Sequence, residues 1–501
     1  MESELPEGWV ETTLEELLVS LESGSRPKGG VRGIADGVPS IGGEHLKYDG
    51  GFEFKNIKYV PRSFAHAMSK GQIKAGDILI VKDGATTGKT SFVTKDFPLK
   101  NAVVNEHVFI CRASKEIFSR YLFWYLYSGE GSKRVLENFK GSAQGGINKT
   151  FAENTLVPFA PFAEQQRIVA KLDTVLARVN NCKTRLDKIP TLLKNFRQSV
   201  LAAAVSGELT KEWRQVNHNL SEVKTKSVKK KRRNILDDKT NDYDLFDLPT
   251  KWKWKTVSDV SDIKGGKRVP LGHKLVSYNT SLPYIKAGDL KKGTVLKNKL
   301  EYLLPETQSI IKRYIVAKGD VYITNVGAKI GDAGIIPGDL DGANLTENAL
   351  KMCNLEGVMN TYLSMWLRSP VAQEFIQQTI LSAAQGKLAL GRVEVFPLPL
   401  PPIEEQKEIV RKVEELFHFA DSIEARYQKA KAWFDKIPQA ILAKAFKGQL
   451  VPQNQTDEPA NVLLERIKKE KKQLTKPKTK TTSKTKKLYE GNDVVSMVAE
   501  G

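Results

Sequence analysis

The chain contains the same heptad helix twice, and this duplication constrains its fold more than any other feature. Apolar residues recur at alternating steps of four and three in the first copy, and the pattern returns 241 residues later. Such spacing forms a stripe that packs against another helix. The simplest solution pairs the two helices with each other, which gives a pseudo-two-fold molecule. The predicted seam residues are Ile168, Leu172, Val175, Val179, Cys182, Leu186 and, in the second copy, Ile409, Val413, Leu416, Ile423, Tyr427.

The repeat extends into the regions that precede the two helices. Residues 5–9 resemble residues 248–252, and the strand-like run 76–80 resembles 319–323, both at an offset of 243 residues. The chain therefore carries two homologous globular heads. Because the heads keep a scaffold while much of their remaining sequence differs, we expect two related recognition tasks on different targets.

The local pattern in each head predicts a mixed α+β domain. Short β-rich runs such as 77–81 and 321–324 are broken by Gly, Pro and Asn, and aromatic helical segments follow near 117–128 and 360–369. Pro190 and Pro438 fall inside the long helices, where we expect a kink or a break. The predicted boundaries are heads at 1–160 and 248–400, helical regions at 161–213 and 401–450, a basic flexible linker at 214–247, and a short helix with a basic tail at 451–501.

Net charge is concentrated in two short segments. The formal charge of the chain is +20, and residues 224–233 and 466–487 together supply 17 of these charges. Such blocks are most often solvated and disordered. As flexible arms they add salt-dependent affinity for phosphates that does not depend on base sequence.

Composition also narrows the cellular setting. The first nine residues have no apolar signal region, and no run reaches the roughly 18 apolar residues of a membrane span. Cys111, Cys182 and Cys353 are scattered, which supports neither a disulfide framework nor a zinc site. We therefore expect a cytoplasmic protein with no metal.

A glycine-rich turn in the first head resembles a phosphate-binding loop but is one residue too short. It spans Gly84–Thr90, and in the second head Gly327 and Gly331 keep the glycines while Asp332 replaces Lys89. The duplication thus preserved a tight backbone turn and not a nucleotide site. Since neither a methyltransferase nor a nuclease motif is present, we expect a chain without catalytic activity and without a bound cofactor.

Three sets of residues carry a resemblance to a known family. Proline-rich segments precede the motif E-Q-x-x-I-V at 164–169 and 405–410; the helix ends at 196–209 and 439–450 and the segment 463–470 complete the pattern. The chain closely resembles the DNA-specificity subunit of type I restriction-modification systems. The resemblance implies two target-recognition domains that read a bipartite site in double-stranded DNA, separated by an antiparallel coiled coil.

The same resemblance implies the partners. Two modification subunits would bring S-adenosylmethionine, and usually two restriction subunits would bring ATP and Mg²⁺. Two alternatives stay open from the sequence: a specificity subunit that serves a methyltransferase with no nuclease partner, and a structural coiled-coil adaptor. Neither the DNA sequence read nor the spacer length follows from the residues.

Candidate DNA contacts are polar side chains on glycine-rich loops, since Arg, Lys, Asn and Gln hydrogen-bond base edges or phosphates. In the first head they are Ser25, Arg26, Lys28, Lys82, Thr86, Thr87, Lys89, Asn105, His107, Gln144, Asn148 and Lys149. In the second head they are Lys267, Arg268, Lys286, Asn325, Lys329, Asn348, Gln385 and Lys387. Because Gln144 and Gln385 occur in both heads, they suit a shared backbone element better than base discrimination.

Overall fold

The computed structural model describes residues 5–141, 145–217, 220–226, 245–291, 293–327, 329–381 and 386–474. Each head combines short strands and short helices, as the α+β prediction requires. The strands of the first head are Val10–Thr13, Leu18–Ser23, Val38–Ile41, Lys58–Val60, Ile78–Val81, Thr90–Phe92, Val103–Val104, Val108–Ala113 and Leu156–Phe159. Its helices are Leu14–Leu17, Arg62–Ala67, Ser119–Tyr127, Gly129–Leu136 and Phe151–Asn154.

The second head has the same order of elements with one added hairpin. Its strands are Lys253–Thr256, Asp262–Gly265, Pro283–Ile285, Leu290–Lys291, Thr294–Val295, Glu301–Tyr302, Val321–Thr324, Ala333–Ile335, Asn344–Leu345, Ala349–Cys353 and Pro397–Leu400. Its helices are Val257–Val260, Pro305–Ile311, Asn360–Arg368, Pro370–Leu381 and Leu390–Glu394. The hairpin joins Leu290–Lys291 to Thr294–Val295.

Sheet topology repeats strand for strand between the heads. Each head has a two-stranded, a three-stranded and a four-stranded sheet. The four-stranded sheet of the first head has the order Leu18–Ser23, Val108–Ala113, Ile78–Val81, Thr90–Phe92, with all neighbours antiparallel. In the second head the order is Asp262–Gly265, Ala349–Cys353, Val321–Thr324, Ala333–Ile335. The repeat found in the sequence is therefore a repeat of topology.

Four longer helices complete the described chain: a first long helix Phe162–Leu186, a second long helix Ile189–Ser206, a third long helix Ile403–Ala445 and a C-terminal helix Ala460–Leu474. A short helix Lys211–Val216 follows the second. The predicted break occurs before Pro190, which sits in the first turn of the second long helix. By contrast, the third long helix continues through Pro438. Gly207 ends the second long helix in the left-handed region at φ +83°, where glycine has no Cβ penalty.

The fold separates into two compact units, each with its own apolar core. The first unit comprises residues 1–183 and 432–501, and the second comprises 184–431. In the first unit, Leu442 and Phe446 from the end of the third long helix join the core of the first head. In the second unit, Leu201 and Val205 from the end of the second long helix join the core of the second head.

The E-Q motif fastens each head to the long helix that follows it. Buried Glu164 accepts a hydrogen bond from Trp9 Nε1 at 2.9 Å, and Glu405 accepts one from Trp252 Nε1 at 2.8 Å. The neighbouring Gln165 accepts from Phe118 N and donates to Ala160 O. The motif therefore has a structural role, and its two tryptophan partners, Trp9 and Trp252, are buried in the cores of their heads.

The seam residues differ in how deeply they are buried. Fully or largely buried positions are Ile168, Leu172, Val179, Ile409, Val413 and Tyr427, and half-buried positions are Val175, Leu186, Leu416 and Ile423. Cys182, which continues the same spacing, is exposed. Leu176, which the heptad spacing does not include, is buried, whereas its neighbour Val175 is only half-buried. The stripe thus shifts by one residue toward Leu176, because 3.6 residues per turn do not match a 3.5 repeat.

Ion pairs reveal the direction of the helices within each unit. In the second unit, Arg197 contacts Asp421 at 2.7 Å and Glu424 at 2.9 Å, while Asp187 contacts Lys431 at 3.9 Å. From Asp187, just before the second long helix, to Arg197 within it, residue numbers rise, while those of their partners on the third long helix fall from 431 to 424 and 421. The second and third long helices therefore run antiparallel there. In the first unit, Lys183 contacts Asp435 at 2.6 Å.

The C-terminal helix belongs to the core of the first unit. Ala460, Leu463 and Ile467 are buried against the first head, and Ser114 Oγ donates to Glu470 at 2.7 Å. Part of the predicted basic tail, residues 466–474, is therefore docked helix. The rest of that tail, the N-terminal residues 1–4 and most of the predicted linker, 227–244, lie outside the described residues.

Candidate nucleic-acid interface

The candidate loops of each head gather at one end of the four-stranded sheet. In the first head, the strands that end at Ser23 and Val81 lie beside strands that begin at Thr90 and Val108. Antiparallel pairing thus brings the loops 24–28, 82–89 and 105–107 together. The second head repeats the arrangement with strands that end at Gly265 and Thr324 and begin at Ala333 and Ala349.

Backbone hydrogen bonds add a further loop to this cluster. In the first head, Lys82 N donates to His107 O at 2.8 Å and Ile147 N donates to Lys82 O at 2.8 Å. In the second head, Asn325 N donates to Asn348 O at 3.0 Å and Leu388 N donates to Asn325 O at 3.0 Å. The two heads therefore hold their candidate loops with the same backbone framework. Gln144 and Gln385, which precede the added loop, lie outside the described residues.

Charged side chains of the first head form a connected cluster on these loops. His107 lies between two carboxylates, with Nδ1 at 2.5 Å from Asp83 and Nε2 at 3.4 Å from Glu106. Arg26 approaches Glu106 at 3.8 Å, and Lys82 approaches Asp83 at 3.6 Å. A cleft of about 150 Å³ opens beside Ser25, Arg26, Asn105 and His107. Such a mixture of donors and acceptors can read both acceptor and amino groups on base edges.

The glycine-rich turn of the first head presents Thr87 and Lys89. Gly84 and Gly88 have φ values of +88° and +84°, and Gly327 and Gly331 in the second head have +106° and +91°. These left-handed conformations explain why both copies keep glycine there. Thr87 Oγ1 donates to Gly84 O at 2.7 Å, and the Lys89 ammonium lies 4.6 Å from the centre of the Tyr48 ring. This contact is a cation–π interaction at the surface, since Tyr48 is 74% exposed.

In the second head the candidates are more varied in exposure. Arg268 Nε donates to Glu347 at 2.8 Å, and Lys286 contacts Glu301 at 2.5 Å. Burial raises the pKa of the Glu347 carboxyl, but the hydrogen bond from Arg268, the backbone and the arginine charge together lower it below its usual value. Asn325 is buried, and its Oδ1 has no hydrogen-bond partner among the described residues. That side chain must rotate outward before it can meet a base.

Apart from buried Asn325, the candidates that the structure describes are either exposed or half-buried. The exposed ones are Ser25, Arg26, Lys28, His107, Asn148, Lys149, Lys267, Arg268, Lys329 and Lys387. The half-buried ones are Lys82, Thr86, Thr87, Lys89, Asn105, Lys286 and Asn348. Whether any of them contacts a base stays a prediction.

Some residues of this surface carry no local signal in the sequence. Asp83, Glu106 and Glu347 are not among the predicted contact residues, yet each pairs with a candidate side chain: Asp83 with His107, Glu106 with Arg26 and Glu347 with Arg268. Tyr48 has no local signal, since only folding brings it under Lys89. Aligning the two heads with an offset of 241 residues around Glu106 would have singled out Glu347.

Comparison with known proteins shows the family to which the chain belongs. The family model described as the type I restriction modification DNA specificity domain matches twice, at residues 6–191 and 249–432. The chain belongs to this family. Members are the recognition subunits of type I restriction-modification systems and are not themselves catalytic, and membership implies no cofactor on this chain.

Individual members resemble the chain over almost its whole length. It is 31% identical over 460 residues to the EcoBI specificity subunit of Escherichia coli, which covers 88% of this chain and 90% of the relative. It is 27% identical over 504 residues to the EcoKI specificity subunit of E. coli strain K12, with 93% and 96% covered.

Two solved structures share the fold. The HsdS subunit from Thermoanaerobacter tengcongensis matches with a TM-score of 0.56 at 20% identity, covering 90% of this chain and 99% of that one. A chain from a structure on complex assembly and conformational transition of the type I R-M system matches with a TM-score of 0.64 at 19% identity, covering 89% and 100%.

The part of the chain that the structure describes has neither a membrane-spanning helix nor a cluster of metal ligands. No helix there combines the length and apolar content needed to cross a membrane. Nor do three or more His, Cys, Asp or Glu side chains in that part of the chain cluster so as to hold a metal ion.

Proposed function

We propose that each head of this specificity subunit reads one half of a bipartite site in double-stranded DNA, and that the long helices set the length of the unread spacer. In the cytoplasm, the chain would direct two modification subunits that carry S-adenosylmethionine. Two restriction subunits that use ATP and Mg²⁺ would join the same complex. The observation that carries the proposal is the pair of identical loop frameworks that display different side chains.

A shared backbone with different side chains suits two readers of different sequences. Backbone groups and lysines position a protein on the phosphates of any sequence, whereas side chains in the grooves select bases. The framework at 82, 107 and 147 recurs at 325, 348 and 388, yet Lys82 becomes Asn325 and His107 becomes Asn348. Each head would therefore be placed on DNA in the same way and read a different half-site.

A head exchange tests this division. Residues 1–158 are replaced with the first head of another specificity subunit, and the methylated motif is mapped by sequencing the host methylome. We expect one half of the motif to change while the other half and the spacer stay. The matched exchange of residues 248–400 should change only the opposite half. A change in both halves after a single exchange contradicts the proposal.

Reconstitution tests the partners. The purified chain alone should neither methylate nor cleave DNA when S-adenosylmethionine, ATP and Mg²⁺ are supplied. Adding the modification subunits should give methylation, and adding the restriction subunits as well should give cleavage. Methylation without cleavage in the full mixture would favour a subunit that serves a methyltransferase alone.

A further inference from the structure

An arginine–glutamate pair occurs at equivalent positions in the two heads. Arg26 Nη1 lies 3.8 Å from Glu106 Oε1, and Arg268 Nε lies 2.8 Å from Glu347 Oε1. The arginines are 242 residues apart and the glutamates 241. In each pair the arginine side chain is the more exposed partner, at 59% and 79%, and the glutamate is less exposed, at 31% and 30%.

A glycine two residues before each arginine supports this equivalence. A Cβ on Gly24 would lie 1.7 Å from Val104 O, and one on Gly266 would lie 2.0 Å from Thr346 O. Both glycines therefore let the chain pass close to the backbone that leads into the loop with the glutamate. This close approach places each arginine beside the loop that carries its glutamate.

The residues around the pair differ between the heads. Ser25 corresponds to Lys267, and His107 corresponds to Asn348. A side-chain pair kept by both heads, while its neighbours changed, suits a feature that every half-site has. Phosphates are that feature, because they are the same for all sequences. The planar guanidinium fork fits phosphate oxygens in a bidentate way.

The glutamate has a use in this arrangement. A carboxylate facing DNA is unfavourable unless a cation neutralises it, so its presence in both heads needs a reason. Glu347 engages Arg268 through Nε, and within the described residues the two terminal amino groups of Arg268 have no hydrogen bond of their own. Holding a long side chain by one nitrogen reduces the rotamer entropy lost when the others bind.

We propose that Arg26 and Arg268 each bind a DNA phosphate in their own half-site, and that Glu106 and Glu347 act as positioning residues for the two guanidinium groups. This inference rests on the proposed function, because it requires that both heads contact DNA. It differs from base reading by these arginines, which would demand a guanine at the same place in both half-sites.

The test uses the full chain assembled with its modification subunits and a duplex that contains its methylated motif. Arg26→Gln and Arg268→Gln are compared with Arg62→Gln, which removes another exposed arginine of the first head that pairs with Asp36 at 3.0 Å. We expect each of the first two variants to weaken binding roughly tenfold on matching and non-matching duplexes alike. The slope of log affinity against log salt should fall by about 1 for each, and the methylated motif should not change.

Single methylphosphonate linkages, which remove the charge of one phosphate, locate the contact. The unmodified complex should lose affinity at one linkage in each half-site. The Arg26→Gln complex should become insensitive at the linkage of the first half-site only, and Arg268→Gln at the linkage of the second. A relaxed base in the motif, or behaviour like that of Arg62→Gln, overturns the phosphate assignment.

The positioning role is tested by a double-mutant cycle in the second head. If Glu347 positions Arg268, the loss caused by Arg268→Gln should be smaller in an Glu347→Gln background than in the native chain. Additive effects overturn the positioning role. A head exchange that leaves both half-sites unchanged would defeat the proposed function itself, and that result is separate from any of these.

Discussion

At the scale of single residues, the buried glutamates of the two E-Q motifs have different hydrogen-bond partners. Glu405 is buried and accepts hydrogen bonds from Trp252, Thr210 and Arg214, the last at 2.6 Å. Its counterpart Glu164 accepts from Trp9 and from the neutral amide of Gln453. One buried carboxylate therefore has an arginine as direct partner and the other does not. Burial raises the pKa of Glu164 above its usual value of 4.5, against the opposing effects of Trp9, Gln453 and Arg167.

This difference predicts opposite responses to the same substitution. Glu405→Gln should lower the free energy of unfolding by about 2–4 kcal/mol, because it leaves Arg214 buried without its carboxylate. Glu164→Gln should cost less at neutral pH. A group whose folded pKa is raised contributes stability below its unfolded value, and this is lost as pH rises through the folded pKa. Relative to the native chain, Glu164→Gln should therefore gain stability as pH rises from 4.5.

The measurement is urea unfolding of both variants at several pH values, with a fluorescence or hydrogen-exchange probe in each unit. Equal losses at pH 7, or a Glu164→Gln difference that is flat across the acid range, would contradict this reading of the two sites.

The close backbone approach at Gly266 gives a second prediction at this scale. Gly266→Ala should destabilise the second unit by about 2 kcal/mol or more, because the added Cβ would meet Thr346 O at 2.0 Å. The control is Gly391→Ala in helix Leu390–Glu394, where an added Cβ meets nothing within 4 Å. It should stabilise by roughly 0.5–1 kcal/mol, since alanine favours helix. Thermal unfolding of the two variants compares them, and a neutral Gly266→Ala would argue against the close approach.

At the scale of elements, the ends of the long helices are core components of the heads. Phe446 lies 5.2 Å from the rings of both Tyr121 and Tyr125 in the first head. The C-terminal helix adds Leu463 and Ile467 to the same core. The core of each head therefore includes residues that lie more than 40 positions from that head along the chain, such as Phe446 for the first head and Leu201 for the second.

Docking of the C-terminal helix can be measured with two substitutions in that helix. Ile467→Ala removes a fully buried side chain and should lower the stability of the first unit by about 2–4 kcal/mol. Val462→Ala, at a side chain that is 42% exposed, should change it by less than about 0.5–1 kcal/mol. Hydrogen exchange in strand Val10–Thr13 reports the effect. Similar values for both variants would mean that the helix is not docked.

The segment that follows the C-terminal helix is rich in lysine and gives a separate prediction. Residues 475–487 carry six lysines and no acidic residue. Deleting residues 475–501 should lower the salt slope of DNA affinity and leave the methylated motif unchanged, because lysines there can meet phosphates of any sequence. Starting the deletion at 466 would instead remove part of the docked helix. A changed motif after the shorter deletion would make the tail a reader of bases.

At the scale of the whole molecule, the two compact units do not coincide with the two sequence copies. The second unit is one continuous segment, 184–431, whereas the first joins 1–183 to 432–501. The apolar residues that close the core of the first unit include Leu442, Phe446 and Ile467. A fragment that ends after the first copy lacks all three.

Fragments test this division. Residues 184–431 expressed alone should unfold cooperatively, because every buried residue of their core lies within the fragment. Residues 1–213 should be poorly stable or aggregate, since the missing helices expose apolar surface. Calorimetry and size-exclusion chromatography distinguish the two. A well-folded 1–213 fragment would show that residues 432–474 are dispensable to the first core.

Much of the architecture could be predicted from the heptad spacing of apolar residues and from the internal duplication of the sequence. The duplication predicted two α+β heads, the heptads predicted long helices, and Pro190 predicted a break where one helix now ends. The paired glycines of the turns were also predictable, because a left-handed residue without a Cβ leaves glycine as the preferred choice. These properties depend on neighbours along the chain, so a single sequence contains them.

Only the tertiary structure shows which segments far apart in sequence share a core. No local pattern places Leu201 in the same core as Trp252, or Phe446 against Tyr121, because these residues lie far apart in sequence and meet only through the direction in which helices pack. The Arg26–Glu106 and Arg268–Glu347 pairs were hidden for the same reason. Each polar side chain reads as an ordinary surface residue until strand pairing brings its partner within reach, and that pairing is set by burial of the sheet as a whole.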